Sequence, residues 1–226
     1  MYTISLANPK GGSGKTTSAL ILADMIKELG GNVCCIDIDP NKNLKNWELK
    51  REGLKGVSEI PIFEHRDADT LGDFVEQLSA EYDYCIVDLE GTKDIIVAYA
   101  IMDSDLVLVP MKPNAMESRL AGEMLKLIAT ASRNSKRDIP HKFLLTRTSS
   151  AIITRDQRAI MDQIRESKLP AIETELSERA AFQRLFAKGE RLREITQDDP
   201  KNKAYVNAMQ FAQEVLNEFK QNEQAA

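Results

Sequence analysis

The chain has 226 residues, of which 42% are apolar and 29% charged, and its formal net charge is −5 at pH 7. This composition provides a sizeable core, and no apolar run approaches the length of a membrane span, which excludes a membrane-spanning helix. The first apolar run begins at residue 2 and leaves no room for a signal peptide, so we expect a cytoplasmic protein. We predict one domain over residues 1–220 and a disordered tail over residues 221–226.

Apolar, β-rich runs alternate with helical patterns along the chain. Strands are predicted at Tyr2–Ala7, Asn32–Ile38, Ile60–Phe63, Tyr84–Asp88, Leu106–Pro110 and Lys142–Thr146, with a shorter one near Ala171–Thr174. Helices are predicted at Thr16–Leu29, Leu44–Glu52, Thr70–Ala80, Ile95–Met102, Met116–Ser132, Arg155–Ser167, Glu178–Ala187 and about Lys201–Lys220. This alternation is typical of an α/β fold with a mostly parallel central sheet and helices on both faces. In such folds ligands bind at the carboxyl ends of the strands.

A glycine-rich run from Lys10 to Thr17 joins the first strand to the first helix. Its three glycines let the backbone curl so that successive N–H groups point at one anion, and the following helix adds its positive N-terminal end. Lys15 supplies a movable cation for the outer phosphates, and the Thr16 hydroxyl is placed to hold Mg²⁺. We therefore predict a nucleoside-triphosphate site formed by Gly11, Gly12, Ser13, Gly14, Lys15, Thr16 and Thr17.

A second lysine, Lys10, stands at the entrance of this loop. The general phosphate-loop pattern has glycine five residues before Gly14, where this chain has Pro9. A loop that curls around phosphate has little use for a cation that points away from it. We expect the Lys10 ammonium to reach either solvent or a phosphate held by another subunit.

Two further predicted strands end in aspartates. Asp37 and Asp39 lie two residues apart, so their side chains fall on one side of the pleat. Burying two carboxylates together is costly unless a cation or hydrogen-bond donors meet them, although the pair could instead cap the following helix. Asp88 follows a later apolar strand, as a Walker B acid that holds Mg²⁺ through water does. We predict that Thr16, Asp39 and Asp88 hold the metal.

The segment after Asp88 contributes two weaker candidates. Gly91 lets the backbone pass close to a γ-phosphate, so residues 88–92 are a candidate switch that distinguishes triphosphate from diphosphate. Glu90 is a candidate general base. Phosphoryl transfer depends mainly on positioning and charge stabilisation, which argues against that role.

The cysteines and histidines are not predicted to bind metal. Cys34, Cys35 and Cys85 lie in predicted buried strands without metal-ligand spacing, which indicates reduced core residues. Cys34 and Cys35 are adjacent and should point to opposite faces of the sheet. His65 and His141 are isolated, and we expect them at the surface or in loops.

The net charge hides an uneven distribution. Residues 126–203 contain 17 Lys and Arg against 11 Asp and Glu, a balance of +6, and the remainder contains 13 against 24, a balance of −11. Charge separated in this way can form a basic face on an acidic protein. The alternative is that the basic residues are scattered over the surface.

The loop pattern Lys-Gly-Gly-x-Gly-Lys-Thr resembles the deviant Walker A motif of the ParA/MinD partition ATPases, which belong to the SIMIBI class of P-loop NTPases. The Asp-x-Asp-Pro segment 37–40, the runs 88–92 and 106–111, and the segment 175–182 extend this resemblance to the small ParA group. That group includes ParF-type and VirC-type proteins. In this family the entrance lysine crosses a dimer interface to touch the partner's nucleotide, which the resemblance implies for Lys10.

The resemblance also implies roles inside the site. Asp37 and Asp39 match the acids that place the attacking water and the metal shell, although Asn41 stands where the family usually has glutamine. Thr146 and Arg147 match the base-recognition strand, in which many relatives have asparagine. The preference for ATP is therefore implied by the family alone. The implied catalytic residues are Lys10, Lys15, Asp37 and Asp39.

The function implied by the family is an ATPase that partitions or positions DNA. Two subunits would close over ATP and Mg²⁺, bind DNA non-specifically on the nucleoid, and separate after a hydrolysis that is slow without a centromere-binding or adaptor protein. No membrane contact is expected. The candidate DNA-binding residues are Arg155, Arg158, Arg179, Arg184, Lys188, Arg191 and Arg193.

Three other functions use the same nucleotide site. A MinD-like membrane-cycling ATPase needs a basic amphipathic C-terminal helix, whereas the end of this chain has Glu214 and Glu218 against Lys220. A metabolic ligase would not need Lys10, and an iron–sulfur electron donor would need differently placed cysteines. A non-cycling adaptor that binds ATP tightly and hydrolyses little would share all the binding residues. The same is true of an ATPase that positions a protein cargo.

Overall fold

The computed structural model describes residues 1–56, 58–91, 95–149, 155–166 and 169–225. In these residues seven strands form one sheet in the order β3-β2-β4-β1-β5-β6-β7, and every pairing is parallel. The strands are β1 (Tyr2–Leu6), β2 (Val33–Asp37), β3 (Ile62–Glu64), β4 (Tyr84–Asp88), β5 (Leu106–Met111), β6 (His141–Thr148) and β7 (Leu176–Ser177). The helices are α1 (Lys15–Glu28), α2 (Asn43–Lys55), α3 (Leu71–Leu78), α4 (Ile95–Met102), α5 (Ala115–Ser135), α6 (Arg155–Glu166), α7 (Ala180–Lys188), α8 (Leu192–Ile195) and α9 (Lys203–Ala225).

Helices cover both faces of the sheet because its central strands are apolar on both sides. One core contains side chains of α1, α2, α7 and α9, and the other contains side chains of α3, α4, α5 and α6. Cys35 belongs to the first core, whereas Cys34 and Cys85 belong to the second. All three cysteines are buried and free, which confirms the prediction for them. The predicted α/β class with a parallel sheet is also confirmed.

Strand order brings the predicted acids to one edge. The first strand, β1, lies between β4 and β5, and β4 separates it from β2. In this register Leu6 and Asp37 each lie opposite Asp88, so β1, β2 and β4 end at the same level. The loop after β1 and the acids after β2 and β4 therefore meet at the carboxyl edge of the sheet, as the parallel fold requires.

The region after β6 differs most from expectation. The last strand is Leu176–Ser177 and not Ala171–Thr174, because Ala171 forms one isolated bridge with Phe143 and the chain pairs again only after a register shift. The short helix α8 was not predicted. His141 begins β6 and is half-buried, while half-buried His65 follows β3 in a loop.

The last helix, α9, continues to Ala225, through most of the segment predicted to be disordered. Its apolar face is packed in the core, where Phe211, Val215 and Phe219 are almost fully buried. This face is consequently not displayed for a membrane surface. Among the described residues no helix combines the length and apolar character needed to cross a bilayer.

Candidate functional site

The glycine-rich loop curls as predicted and opens directly into α1. Gly12 and Gly14 have φ values of 75° and 102°, in the left-handed region where a side chain is strained. Gly14 is the N-cap of α1, and no side chain caps the helix. The free N–H groups of the first turn therefore face the space enclosed by the loop and favour an anion there.

Lys15 is directed into this loop. Its side chain is buried, and its Nζ donates to the carbonyl oxygens of Asn8, at 3.1 Å, and Lys10, at 3.3 Å. Burial lowers the pKa of Lys15, while the charges of Asp88 and Asp39 raise it. A phosphate that takes the place of these carbonyls would give the ammonium a charged partner, which fits the predicted role.

Asn8 holds the start of the loop against the neighbouring strand. Its Nδ2 donates to the carbonyl oxygen of Pro110 on β5, at 2.7 Å, and its Oδ1 accepts from the backbone N–H of Lys10, at 2.8 Å. Sequence reasoning missed Asn8. The signal available was its position directly before the loop, where a buried amide can join two strand ends.

Two buried carboxylates lie beside the loop with fewer hydrogen-bond donors than their oxygens require. Asp37 and Asp88 are both fully buried; Asp37 accepts from the backbone N–H of Lys45 at 3.0 Å, but its Oδ1 and both oxygens of Asp88 have no hydrogen-bond partner among the described residues. The pKa of Asp88 is raised to about 7, mainly by burial and partly by the Asp37 charge, although neighbouring Thr16 and Lys15 act to lower it. Burial also raises the pKa of Asp37. Unsatisfied carboxylates next to an anion cradle fit a divalent cation.

Asp39 lies at the rim of the same site. Its Oδ1 accepts from the backbone and side-chain N–H groups of Asn41, each at 2.8 Å. Asn41 therefore orients Asp39. The structure brings together the predicted metal residues Thr16, Asp39 and Asp88 with Lys15.

Two adjoining cavities give the site its shape. One of about 460 Å³ is lined by the phosphate loop and the acidic edge, including Asp39, Asn41 and Glu90. A second of about 230 Å³ is lined by Leu176, Phe182 and other residues of the β7–α7 region. Both contain Gly14, Thr17, Arg147 and Phe186. The first cavity has the groups that would bind phosphates, and the second has the apolar walls that would hold a base. Sequence reasoning missed the β7–α7 side of the second cavity.

Thr146 and Arg147 occupy different places relative to these cavities. The Thr146 hydroxyl donates to the carbonyl oxygen of Ser13 at 2.6 Å, and a Cβ on Gly14 would lie 3.1 Å from it. Thr146 therefore supports the phosphate loop. Arg147 has a positive φ of 52° and lines both cavities, so it faces the space where a nucleotide would extend.

The entrance lysine meets a partner that was not anticipated. Lys10 Nζ lies 2.9 Å from Oε1 of Glu117 and 3.7 Å from the sulfur of Met116, both on α5. Its side chain is 31% exposed. In the single subunit this ammonium is therefore engaged inside its own chain, which neither expected alternative included.

Glu90 and Gly91 lie next to the loop. Glu90 is half-buried and lines the larger cavity, and a Cβ on Gly91 would lie 3.4 Å from the Gly11 nitrogen. The backbone at Gly91 thus passes close to the phosphate loop, and its approach to a γ-phosphate stays a prediction. Thr92, the end of the predicted switch, lies outside the described residues.

Comparison with known proteins identifies the family. The family model described as VirC1 protein matches residues 1–217. The chain is 31% identical over 218 residues to "Protein ParA" of Rhizobium radiobacter, with 96% of each chain covered. The chain belongs to the VirC1 family of ParA/MinD-type partition ATPases. The predicted family and ATPase activity are thereby confirmed.

Two further similarities show that the ParA/MinD fold occurs in proteins of different function. The chain is 24% identical over 192 residues to the "Maintenance of carboxysome distribution protein A" of Halothiobacillus neapolitanus, covering 83% of this chain and 85% of the relative. Its fold resembles cobyrinic acid a,c-diamide synthase from Mycobacterium smegmatis with bound ATP analog and magnesium. That likeness has a TM-score of 0.75 at 17% identity and covers 97% and 96% of the two chains. The scaffold therefore also occurs in a synthase, and family membership, not fold, favours the partition ATPase.

The candidate DNA-binding residues of this ParA/MinD-type chain fall on three helices and differ in exposure. Arg155 and Arg158 are exposed on α6, and Arg184 and Lys188 are exposed on α7. Arg193 on α8 is exposed, and its guanidinium contacts Glu28 of α1 and Asp198, which follows α8. Arg179 is half-buried at the start of α7 and lines the smaller cavity.

Arg191 does not fit the predicted DNA-binding role. Its side chain is 7% exposed; Nε donates to Oδ1 of Asp24 at 2.7 Å, and Nη2 contacts Glu28 at 3.0 Å. The other oxygen of Asp24 accepts from the backbone N–H of Leu192 at 2.8 Å. The guanidinium therefore ties the start of α8 to α1, and we remove Arg191 from the candidate DNA surface.

Replacing Arg191 with alanine is expected to lower the free energy of unfolding by about 3–5 kcal/mol, because Asp24 would stay buried without its cation. Urea denaturation of the nucleotide-free protein measures this loss. The exposed Arg184→Ala variant is the control, with an expected change of less than about 0.5 kcal/mol. An Arg191 variant of unchanged stability but weakened DNA binding would restore the original prediction.

Proposed function

We propose that this ATPase is an ATP-dependent dimer switch whose closed dimer binds DNA non-specifically. The observation that supports it best is the pair of lysines at the phosphate loop. Lys15 is directed into the loop, whereas Lys10 lies at its outer edge with part of its side chain exposed. These positions support a division in which Lys15 would bind the subunit's own phosphates and Lys10, once released from Glu117, those of a partner.

The nucleotide we propose is ATP with Mg²⁺. The larger cavity offers loop N–H groups, Lys15 and Thr16 to the phosphates. Oδ1 of Asp37 and both carboxylate oxygens of Asp88 have no hydrogen-bond partner among the described residues, which supports a metal bound close to them. Bound Mg²⁺ would neutralise phosphate charge during hydrolysis. Asp37 and Asp39 would orient the attacking water. The choice of adenine rests on family membership alone.

The dimer face we propose surrounds Lys10. Exposed apolar side chains occur on the two adjacent helices there: Met116 on α5 is 62% exposed, and Ile95 and Tyr99 on α4 are 62% and 37% exposed. Without triphosphate, two loop faces carrying like charges would separate. With triphosphate, each Lys10 would gain a charge-assisted contact from which water is excluded.

The DNA surface we propose is centred on α7. Arg184 and Lys188 are exposed there, and exposed Lys50 of α2 donates to the carbonyl oxygen of Phe186 at 2.7 Å, which places a third cation beside them. Gly189, at the end of α7, packs directly on Lys50 and Arg51. About three phosphate contacts from each subunit would give a log–log salt slope of about −5 for the dimer. Arg155, Arg158, Arg179 and Arg193 remain further candidates.

The proposed cycle includes slow intrinsic hydrolysis and acceleration by a centromere-binding or adaptor protein, with the dimer located on the nucleoid. A MinD-like membrane cycle is less well supported, because the apolar face of α9 is packed in the core. Positioning of a protein assembly is the second candidate. The similarity to the carboxysome distribution protein favours it, and it would use the same dimer and DNA surface.

Retention of DNA on a surface tests the gating directly. We expect strong retention with ATP and Mg²⁺, weak retention with ADP, and weak retention of Lys10→Ala with either nucleotide. The double variant Arg184→Ala/Lys188→Ala should lose retention while still forming dimers with ATP, and Lys220→Ala, which removes an exposed cation of α9, is its matched control. Equal retention in all nucleotide states would contradict the switch.

A further inference from the structure

Glu117 is a buried acidic residue that has no role in the nucleotide site described above. It lies in the first turn of α5, its side chain is 0% exposed, and its backbone N–H donates to the Asn114 side chain that caps the helix. Apart from one ion pair, neither carboxylate oxygen has a hydrogen-bond partner among the described residues. The N-terminal end of a helix is a favourable position for an acidic side chain.

The cation that balances Glu117 is Lys10. The Lys10 ammonium lies 2.9 Å from Glu117 Oε1, at a separation of 107 positions in the chain, and the charge of Glu117 also acts on Lys15. A buried carboxylate that loses its cation is strongly disfavoured, because its charge is then left without a partner. The described contacts therefore make Glu117 a strong competitor for the Lys10 ammonium.

The position of Lys10 leaves a route away from Glu117. Its side chain is 31% exposed, and next to it lies the sulfur of Met116, a residue that is 62% exposed. The ammonium thus sits between a buried carboxylate and an open apolar surface. Because its side chain is partly exposed, we expect a change of side-chain rotamer to turn the ammonium outward.

We propose that Glu117 is a positioning residue that holds Lys10 inside its own subunit until the phosphates of a second subunit displace it. The inference rests on the proposed dimer switch. Carboxylate and phosphates are both anionic and compete for one ammonium. Glu117 therefore weakens the dimer and keeps nucleotide-poor subunits apart, while it keeps Lys10 next to the loop that will use it.

The dimer dissociation constant tests this role. Sedimentation velocity with Mg²⁺ and a non-hydrolysable ATP analogue is compared for wild type, Glu117→Gln and Glu117→Asp. The neutral glutamine has nearly the same shape and removes the competing charge, so we expect a dissociation constant about tenfold lower. The aspartate keeps the charge and should stay within about threefold of wild type. A glutamine variant whose dimer is as weak as wild type, or weaker, overturns the proposal.

Variants at Lys10 separate competition for the ammonium from a general effect on the interface. In the Lys10→Met background, Glu117→Gln should leave the weakened dimer unchanged, because the cation for which the carboxylate competes is gone. A tenfold strengthening that persists without Lys10 would contradict the proposal, since Glu117 would then act through another contact.

Unfolding of the nucleotide-free protein examines the ion pair without any dimer. In a double-mutant cycle of Lys10→Met and Glu117→Gln, the double variant should be more stable than the sum of the single effects predicts. Zero coupling overturns the holding contact. Wild-type protein that stays monomeric with the analogue contradicts the proposed function itself, whereas a dimer that ignores Glu117→Gln overturns the role of Glu117 alone.

Discussion

Replacing Lys15 with alanine is expected to lower the rate of ATP turnover by at least about 100-fold, the order of loss seen when one charge-stabilising donor is removed. The buried Lys15 ammonium is held by the Asn8 and Lys10 carbonyl oxygens inside the loop, in a position that a phosphate can take. Phosphoryl transfer depends on such placed charges. Steady-state phosphate release and equilibrium binding of a fluorescent ATP analogue measure the two effects.

Lys10→Ala is the matched control for this change. Both variants remove one lysine from the same loop, but Lys10 contacts Glu117 and not the interior of the cradle. We therefore expect the affinity of Lys10→Ala for the ATP analogue to stay within about threefold of wild type. The same variant should not form the ATP-dependent dimer. Analogue binding that is unchanged by Lys15→Ala would mean that the cradle binds its anion through backbone N–H groups alone.

Replacing Asp88 with asparagine should have two opposite effects: lower activity with ATP and Mg²⁺, and higher stability of the nucleotide-free protein at alkaline pH. Activity should fall about 10–100-fold if Asp88 holds the metal through water, as we propose. Stability should rise because the wild-type protein must keep an ionised carboxylate buried without hydrogen-bond partners among the described residues. The uncharged amide has no such cost.

The sign and pH range of the stability effect follow from the pKa of Asp88. Burial raises it from 3.8 to about 7. The folded protein therefore holds the Asp88 proton more tightly than the unfolded chain does. The contribution of this protonation to the free energy of unfolding is fully present below about pH 4 and is lost as the pH rises to about 7. At about 1.4 kcal/mol for each pH unit, the loss is about 4 kcal/mol in total and about 2–3 kcal/mol between pH 5 and pH 8.

Urea unfolding at pH 5 and pH 8, without nucleotide and with a chelator, measures this difference. The advantage of Asp88→Asn over wild type should grow by about 2–3 kcal/mol between the two pH values. The control Asp73→Asn removes an exposed acid of α3 and should show a constant difference over this range. An advantage that does not change with pH would mean that Asp88 is ionised at both pH values.

The two buried carboxylates also show that residues suited to ligand binding lower the stability of the fold at the nucleotide site. Asp37 and Asp88 lie opposite each other on neighbouring strands, and burial raises the pKa of both. An apolar pair at these positions would suit the core better. Two buried acids with three carboxylate oxygens that lack hydrogen-bond partners among the described residues are consistent with an edge where ligand binding is favoured at the expense of stability.

Amino-acid order alone determined the parts of this protein that depend on neighbouring residues. The phosphate loop follows from three glycines before a helix, since left-handed backbone at Gly12 and Gly14 and the open N-terminus of α1 are local properties. The acids Asp37 and Asp88 were predictable because parallel strands end at the same edge of a sheet. Periodicity also located six of the seven strands, but not β7, which depends on a register shift.

Tertiary structure decided which distant side chains meet. Asn8 reaches Pro110, Thr146 supports Ser13, and Lys10 meets Glu117, all across more than 100 positions. It also decided which cations are exposed: Arg191 and Arg193 are two residues apart, yet Asp24 and Glu28 of α1 bury the first and leave the second at the surface. No local pattern contains this information, because burial of a charge depends on the partner that the fold brings to it.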